Sequence, residues 1–270
     1  MNYRLFLYIF FGVLPALVWL SYYLRKDVHP EPNRMILKIF LLGSFITLPT
    51  LAVQLAMSKI MDMGLIKFGF PSIKNIIELP LNSINIPLLI FILIYWFLII
   101  ALTEEFFKYL VVKEKVYNSR HLDEPLDIML YMIISALGFA ALENILYLFS
   151  PADNLSFNQV LNNTLIVSFI RFIGATFLHT LASGTLGYFL ALSFYETKNK
   201  IWLFLAGLSI AAISHGLYNF SIMSFKGILQ IVVPVTILVG LAIFVIWAFN
   251  RVKKMKSVGK ISFNKLNKLK

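Results

Sequence analysis

The sequence predicts an all-α, polytopic integral membrane protein of about seven transmembrane helices. Three observations carry this. First, 59% of the 270 residues are hydrophobic and the mean hydropathy is +0.81, where soluble domains are ~45–50% apolar. Second, only 14% are charged, about half the usual share. Third, the apolar residues fall into runs of the roughly 20 residues that cross a hydrocarbon core. Cysteine is absent, which removes disulfides, thiolate metal sites and cysteine nucleophiles together.

The first run, about 3–23, has only Arg4 as a basic leader residue and no A-x-A cleavage site. It therefore reads as a span and not as a signal peptide. The second run covers about 35–56. The segment 57–86, "MSKIMDMGLIKFGFPSIKNIIELPLNSINI", is amphipathic, and suits either a segment lying on the membrane surface or a plain connector. Further spans are expected at about 87–112, 126–149, 165–195, 201–222 and 228–249. Residues 1–250 thus read as one helical bundle and 251–270 as a basic tail.

Charge orients the bundle. If the tail is cytoplasmic, loops 25–34, 113–125 and 196–200 share that side, and the tail and these loops hold 16 Lys and Arg. The opposite side holds five: Arg4, Lys59, Lys67, Lys74 and Lys226. This bias places the N-terminus outside and the C-terminus in the cytoplasm. The net charge is +11, but eight of the 24 Lys and Arg lie after Asn250, in "RVKKMKSVGKISFNKLNKLK". A basic tail following an apolar segment points to anionic lipid as its partner, and not to nucleic acid.

The informative residues are the polar ones inside the spans, since an ionisable group at mid-membrane costs ~2.5–3.5 kcal/mol on insertion scales. Span three ends in "ALTEEFFKYL", with Glu104, Glu105 and Lys108. Span four carries Glu143 and Asn144, span five Arg171 and His179, and span six His215 and Asn219. Glu104 and Lys108 share a helix face, as do His215 and Asn219. Ala136, Ala140 and Glu143 follow an i, i+4, i+7 pattern, so this glutamate shares a face with small residues that admit a neighbouring helix. Span five has its own small patch at Ala182, Ser183, Gly184 and Gly187, in which Ser183 reads as a packing residue. At ~1.5 Å of rise per residue, Glu143, His179 and His215 lie about 25, 24 and 21 Å from the cytoplasmic ends, close to one level. Glu104 joins that level if its helix continues to about Asn118. Arg171 reads as a tether near the external headgroups.

Each feature has a structural reading on its own: an interfacial ion pair for Glu104 and Lys108, and helix–helix glue for the asparagines. Together they suit hydrolysis. A glutamate in an apolar pocket can act as general base towards water, and histidine and asparagine N–H groups can stabilise an oxyanion. The same residues could instead hold zinc through two histidines and a glutamate, with another glutamate as base. There is no H-E-x-x-H, no aspartate pair in the spans, and no glycine two residues before Ser183 of the kind a rhomboid-like serine would have. Two other classes compete. Buried Glu and His also mark proton-coupled transporters, but inverted repeats are not visible. A non-catalytic scaffold would give no reason to bury three glutamates.

The runs "RKDVHPEPNRMILKIFLLGSF" (25–45), "EEFFK" (104–108), "DEPLD" (123–127), "LGFAALENILY" (137–147), "RFIGATFLHTLASGTLGY" (171–188) and "SHGLYNF" (214–220) resemble, in order, the PrsW family of intramembrane proteases. The wider superfamily includes the CAAX-processing and bacteriocin-immunity type proteases and shares the double glutamate and two later histidines. The resemblance implies that Glu104 and Glu105 are the catalytic pair, with Glu143, His179 and His215 as further site residues. Asn219 stands where the superfamily has Asn or Asp. It also implies cleavage of a single-pass membrane protein in the cell membrane, an anti-sigma factor cut at an extracytoplasmic site in family members of known role. One departure is that Ile128 and Met132 occupy positions where glycine is common. The resulting expectation is a peptidase in which Glu104 or Glu105 activates water and His179, His215 and Asn219 stabilise the oxyanion. Glu143 would orient a histidine or share a proton, Lys108 would tune the glutamate pair, and Asn144 would help orient the site. No cofactor is expected, with zinc on His179, His215 and Glu143 as the alternative.

Overall fold

The computed structural model describes residues 3–27, 29–79, 83–119, 121–149, 156–194 and 198–255. Within them the regular elements are helical: α1 (Tyr3–Leu24), α2 (Asn33–Lys67), α3 (Ile73–Ile77), α4 (Ile86–Leu93), a π-helical stretch (Ile94–Leu102), α5 (Thr103–Lys115), α6 (Pro125–Leu148), α7 (Phe157–Ile173), α8 (Ala175–Ser193), α9 (Lys200–Ser224) and α10 (Leu229–Val252). Seven helical segments among the described residues are long and apolar enough to cross a membrane: α1, α2, α4 to α5, α6, α7 to α8, α9 and α10. This agrees with the expected number of spans and their order. The basic tail from residue 256 onward and Met1 lie outside the described residues.

Three segments differ from expectation. α2 runs to Lys67, so the first part of the 57–86 segment extends a span instead of lying on a surface. The rest folds back, and Ile73 and Ile76 of α3 pack with Leu65, Leu88, Ile92 and Phe220. The fifth span starts at Phe157 and is interrupted at Gly174, where α7 and α8 meet with φ −96° and ψ −94°. A Cβ there would lie 2.4 Å from the Tyr218 hydroxyl oxygen, so glycine lets α9 approach the junction.

α6 is the axis of the bundle: 94% of its most apolar stretch is buried, against 17% for α1 and for α10. A helix apolar all round suits such a position, because no face needs to meet lipid headgroups or water. Its start is set by "DEPLD". Pro125 occupies the first turn, where its missing N–H costs nothing, and the Asp127 carboxylate accepts the Asp123 and Glu124 amides at 3.0 and 2.7 Å, satisfying N–H groups that the helix itself cannot pair.

α2 and α6 touch backbone to backbone. A Cβ on Gly43 would lie 2.2 Å from the Ser135 carbonyl oxygen, and one on Gly138 would lie 1.9 Å from that of Phe40. The Ser44 hydroxyl donates to the Gly138 carbonyl at 2.7 Å across the contact. Small residues at such a seam are the means by which helices associate in lipid, where burial alone drives little. Gly138→Ala is expected to force the helices apart and to lower the apparent melting temperature in detergent, for an overpacking cost of ~1–3 kcal/mol; an unchanged melt would contradict the seam. The same logic explains Met132, which is fully buried, as is Ile128. The glycine of that contact is on the partner helix, since a Cβ on Gly187 of α8 would lie 2.8 Å from the Met129 Cα and 3.2 Å from the Met132 Cβ.

Candidate active site

The π-helical stretch delivers the glutamate pair. Its wide turns leave carbonyls short of their usual helical partners, and side chains take them up. The Thr103 hydroxyl donates to the Ile99 and Ile100 carbonyls at 2.5 and 2.9 Å. Gln54 of α2 donates to the Ile100 carbonyl at 3.3 Å and to Glu104 Oε1 at 3.2 Å. α5 continues directly from this stretch, with Glu104 and Glu105 in its first turn.

Glu105 is fully buried and fully engaged. It accepts from Lys108 Nζ at 2.7 Å and the Ser183 hydroxyl at 2.6 Å, and His215 Nδ1 lies 3.0 Å from its Oε1. Glu104 is different. Its Oε2 is buried without a hydrogen-bond partner, although Lys108 Nζ is 3.5 Å away, His215 Nε2 3.7 Å and His179 Nδ1 3.9 Å. The two imidazoles stand nearly perpendicular at 5.0 Å between ring centroids. Lys108, itself fully buried, also lies 2.8 Å from His179 Nδ1 and 4.5 Å from the centre of the Phe139 ring.

On the far side of His179, Nε2 is 2.9 Å from Glu143 Oε2. That carboxylate accepts from Arg171 at 2.6 Å, and Arg171 Nε also donates to Asn144 Oδ1. Asn144 in turn donates to the Gly12 carbonyl at 3.1 Å and to Thr176 at 3.0 Å, tying α1, α6, α7 and α8 together at one level. Arg171 is therefore not an external tether. It is a buried partner of Glu143, a position that a span starting near residue 165 would not place so deep. Ser183 is likewise more than packing, since it holds Glu105.

The structure thus brings together Glu104, Glu105, Lys108, Glu143, Asn144, His179 and His215 from α5, α6, α8 and α9. Asn219 lies one turn beyond His215, and its amide makes no hydrogen bond among the described residues. The grouping of possible metal ligands is corrected: Glu104, and not Glu143, offers an oxygen within 4.8 Å of nitrogens from both His179 and His215, because Arg171 draws the Glu143 carboxylate to the far face of His179. α5 ends at Lys115, three residues before Asn118, and the glutamates still reach the level of the histidines. Gln54 was missed by sequence reasoning, although a glutamine within "LAVQLAM" was the available signal.

A second acidic group, Glu31, Asp123 and Asp127, joins the "RKDVHPEPNR" and "DEPLD" segments. The Tyr131 hydroxyl donates to Glu31 at 2.5 Å, and burial pushes the Glu31 carboxyl above the usual range. His29 pairs with Glu124 at 2.8 Å.

Seven helical segments long and apolar enough to cross a membrane, with carboxylates buried against two imidazoles, provide the setting that an intramembrane hydrolase requires. A family model described as "PrsW family intramembrane metalloprotease" matches residues 31–248, and the chain belongs to that family. It is 30% identical to "Protease PrsW" of Oceanobacillus iheyensis over 84% of this chain and 88% of that protein. It is 27% identical to the protein of the same name from Bacillus subtilis over 92% and 94%, and 27% identical to that of Geobacillus kaustophilus over 79% and 78%. No solved structure matches the chain. The protein is a multi-pass membrane peptidase.

Proposed function

We propose that Glu104, His179 and His215 form the centre at which a peptide bond of a single-pass membrane protein is hydrolysed. The observation that carries this is the buried, unpartnered Oε2 of Glu104 facing both imidazoles. One carboxylate oxygen and two imidazole nitrogens form a donor set that fits a catalytic zinc ion, which takes three protein ligands and keeps one open position. The outer contacts fit too. Glu105 accepts from His215 Nδ1 and Glu143 from His179 Nε2, so carboxylates hold one nitrogen of each ring; His215 Nε2 is left facing Glu104, whereas His179 Nδ1 accepts from Lys108, which a metal ion would have to displace. Formally, Glu104, Glu105 and Glu143 meet only Lys108 and Arg171 within this constellation, an excess of negative charge that a cation would offset. Zinc bound there would supply Lewis acidity for the scissile carbonyl and make water acidic enough to attack near neutral pH.

The remaining work belongs to the chain itself. Lys108 and Ser183 fix Glu105, which fixes His215. Glu143, at 22% side-chain exposure against 6% for Glu104, passes a proton between His179 and the open side of the site. The uncommitted Asn219 amide is available to the oxyanion. A second reading rests on Lys108, whose ammonium already donates to His179 Nδ1. With Lys108 in that place, Glu104 acts directly as general base on water and no metal is needed.

The substrate proposed is an anti-sigma factor, cut on its extracytoplasmic side, with the C-terminal end of this chain in the cytoplasm. Support comes from the resemblance to the PrsW family and from the bias of basic residues. The experiment is cleavage of a co-reconstituted single-pass anti-sigma factor before and after thorough chelation, with zinc content measured. Loss of cleavage on chelation with recovery on zinc is expected; cleavage that survives complete metal removal selects the second reading. An active enzyme that cuts other single-pass proteins but not this one would remove the substrate assignment alone.

A further inference from the structure

Away from the active site, a groove of about 250 Å³ opens between α1 and α10. Both helices pack on α6 and α8 and come together where Tyr23 stacks on Phe249, with ring centroids 5.8 Å apart. Trp19 and Tyr23 form one wall, Val245 and Phe249 the other, and Phe177 and Leu181 of α8 the floor. Trp19 is fixed in place by stacking on Phe177 at 4.3 Å and by its indole N–H, which donates to the Phe172 carbonyl at 3.0 Å.

The mouth has opposite chemistry. α1 ends at Leu24 and α10 at Val252, and each is followed by a lysine that lines the same opening, Lys26 and Lys253. Lys26 lies over the Tyr22 ring at 4.9 Å. Asp27, next in the chain, turns its Oδ1 to the His29 amide. Asp27 Oδ2 is buried without a hydrogen-bond partner, but Asp27 does not line the groove, whose charged lining residues are the two lysines and whose interior is aromatic and apolar.

We propose that this groove binds an anionic phospholipid, one acyl chain lying against Phe177 and Leu181 and the phosphate held between Lys26 and Lys253. Lysines at the ends of membrane helices recognise anionic headgroups by charge, and aromatic rings belong at the headgroup level.

The test uses the full chain in detergent, titrated with dioleoylphosphatidylglycerol or dioleoylphosphatidylcholine and read by native mass spectrometry. The expected result is tighter binding of phosphatidylglycerol, by ten-fold or more. Lys26→Gln with Lys253→Gln should weaken phosphatidylglycerol about five-fold per lysine and leave phosphatidylcholine unchanged. Lys113→Gln with Lys115→Gln removes equal charge elsewhere and should change neither. Ala242→Trp should exclude both lipids from the groove, with a thermal melt run in parallel to show that the bundle is intact. Equal affinity for the two lipids, an equal loss in the Lys113 and Lys115 control, or retained binding in a folded Ala242→Trp protein would overturn the proposal. Displacement of the lipid by inorganic phosphate alone would also overturn it, in favour of a free-anion site.

Discussion

Glu104→Gln is expected to lower peptide cleavage by about two to four orders of magnitude while the protein still accumulates in the membrane. The substitution keeps the size of the side chain, and the amide oxygen can still accept from Gln54. What is lost is the charge on a buried carboxylate oxygen that no donor occupies. A neutral amide is cheaper to bury than a carboxylate, so insertion should not suffer. Glu105→Gln should behave differently. Glu105 is engaged by Lys108, Ser183 and His215, and its neutralisation leaves a buried ammonium short of its nearest counter-charge, so both protein level and activity should fall. The measurement is cleavage of a co-expressed single-pass substrate with the amount of enzyme followed by immunoblot. Cleavage at the wild-type rate by Glu104→Gln would remove this residue from the reaction, and disappearance of the variant from the membrane would make it structural.

Arg171→Met is expected to be among the most destabilising single changes in the chain. It strips Glu143 of the cation paired with it and Asn144 of a donor, at a place where both partners are largely buried. Breaking one side of a buried ion pair costs ~3–5 kcal/mol. Arg171→Met combined with Glu143→Gln should recover much of that loss, because no uncompensated charge remains. Thermal melts in detergent of the two single variants, the double variant and the parent form a cycle that reads the coupling directly. Losses that simply add would show that Arg171 and Glu143 do not act as a pair, and would return Arg171 to the interface.

The spans were legible because a run of twenty apolar residues has few other uses. Glu104, Glu105, Glu143, His179 and His215 could be named for a related reason: ionisable groups in such runs need partners. Which partner each would find was not legible. Helical spacing gives the face a side chain shares with its own neighbours, but not the rotation of that helix against another. For this reason Glu143 was grouped with the histidines as a ligand when Arg171 in fact claims it. The depth of Arg171 depended on where its helix starts, and "FNQVLNN" (157–163) looks too polar to begin a span. Its asparagines stay exposed while Val160 is buried, and Gln159 pairs with Ser156 in a capping box that starts the helix there. The π-helical turns left no trace in "IYWFLIIAL", which is apolar on every side and reads identically in either helical geometry.

Those turns have one more consequence. Each residue of an α-helix advances the chain by about 100°, and a stretch of wider turns falls behind that advance. The third span is therefore two helices spliced out of phase: α4 keeps one bearing, facing lipid and α3, while α5 takes another, facing the histidines. The direction in which the glutamates point is set at the splice and not by the membrane-facing half. Substitutions that suit α4 to a different bilayer can thus accumulate without turning Glu104 away from its partners, and a single-residue deletion between Ile94 and Leu102 would reset the bearing of everything after it.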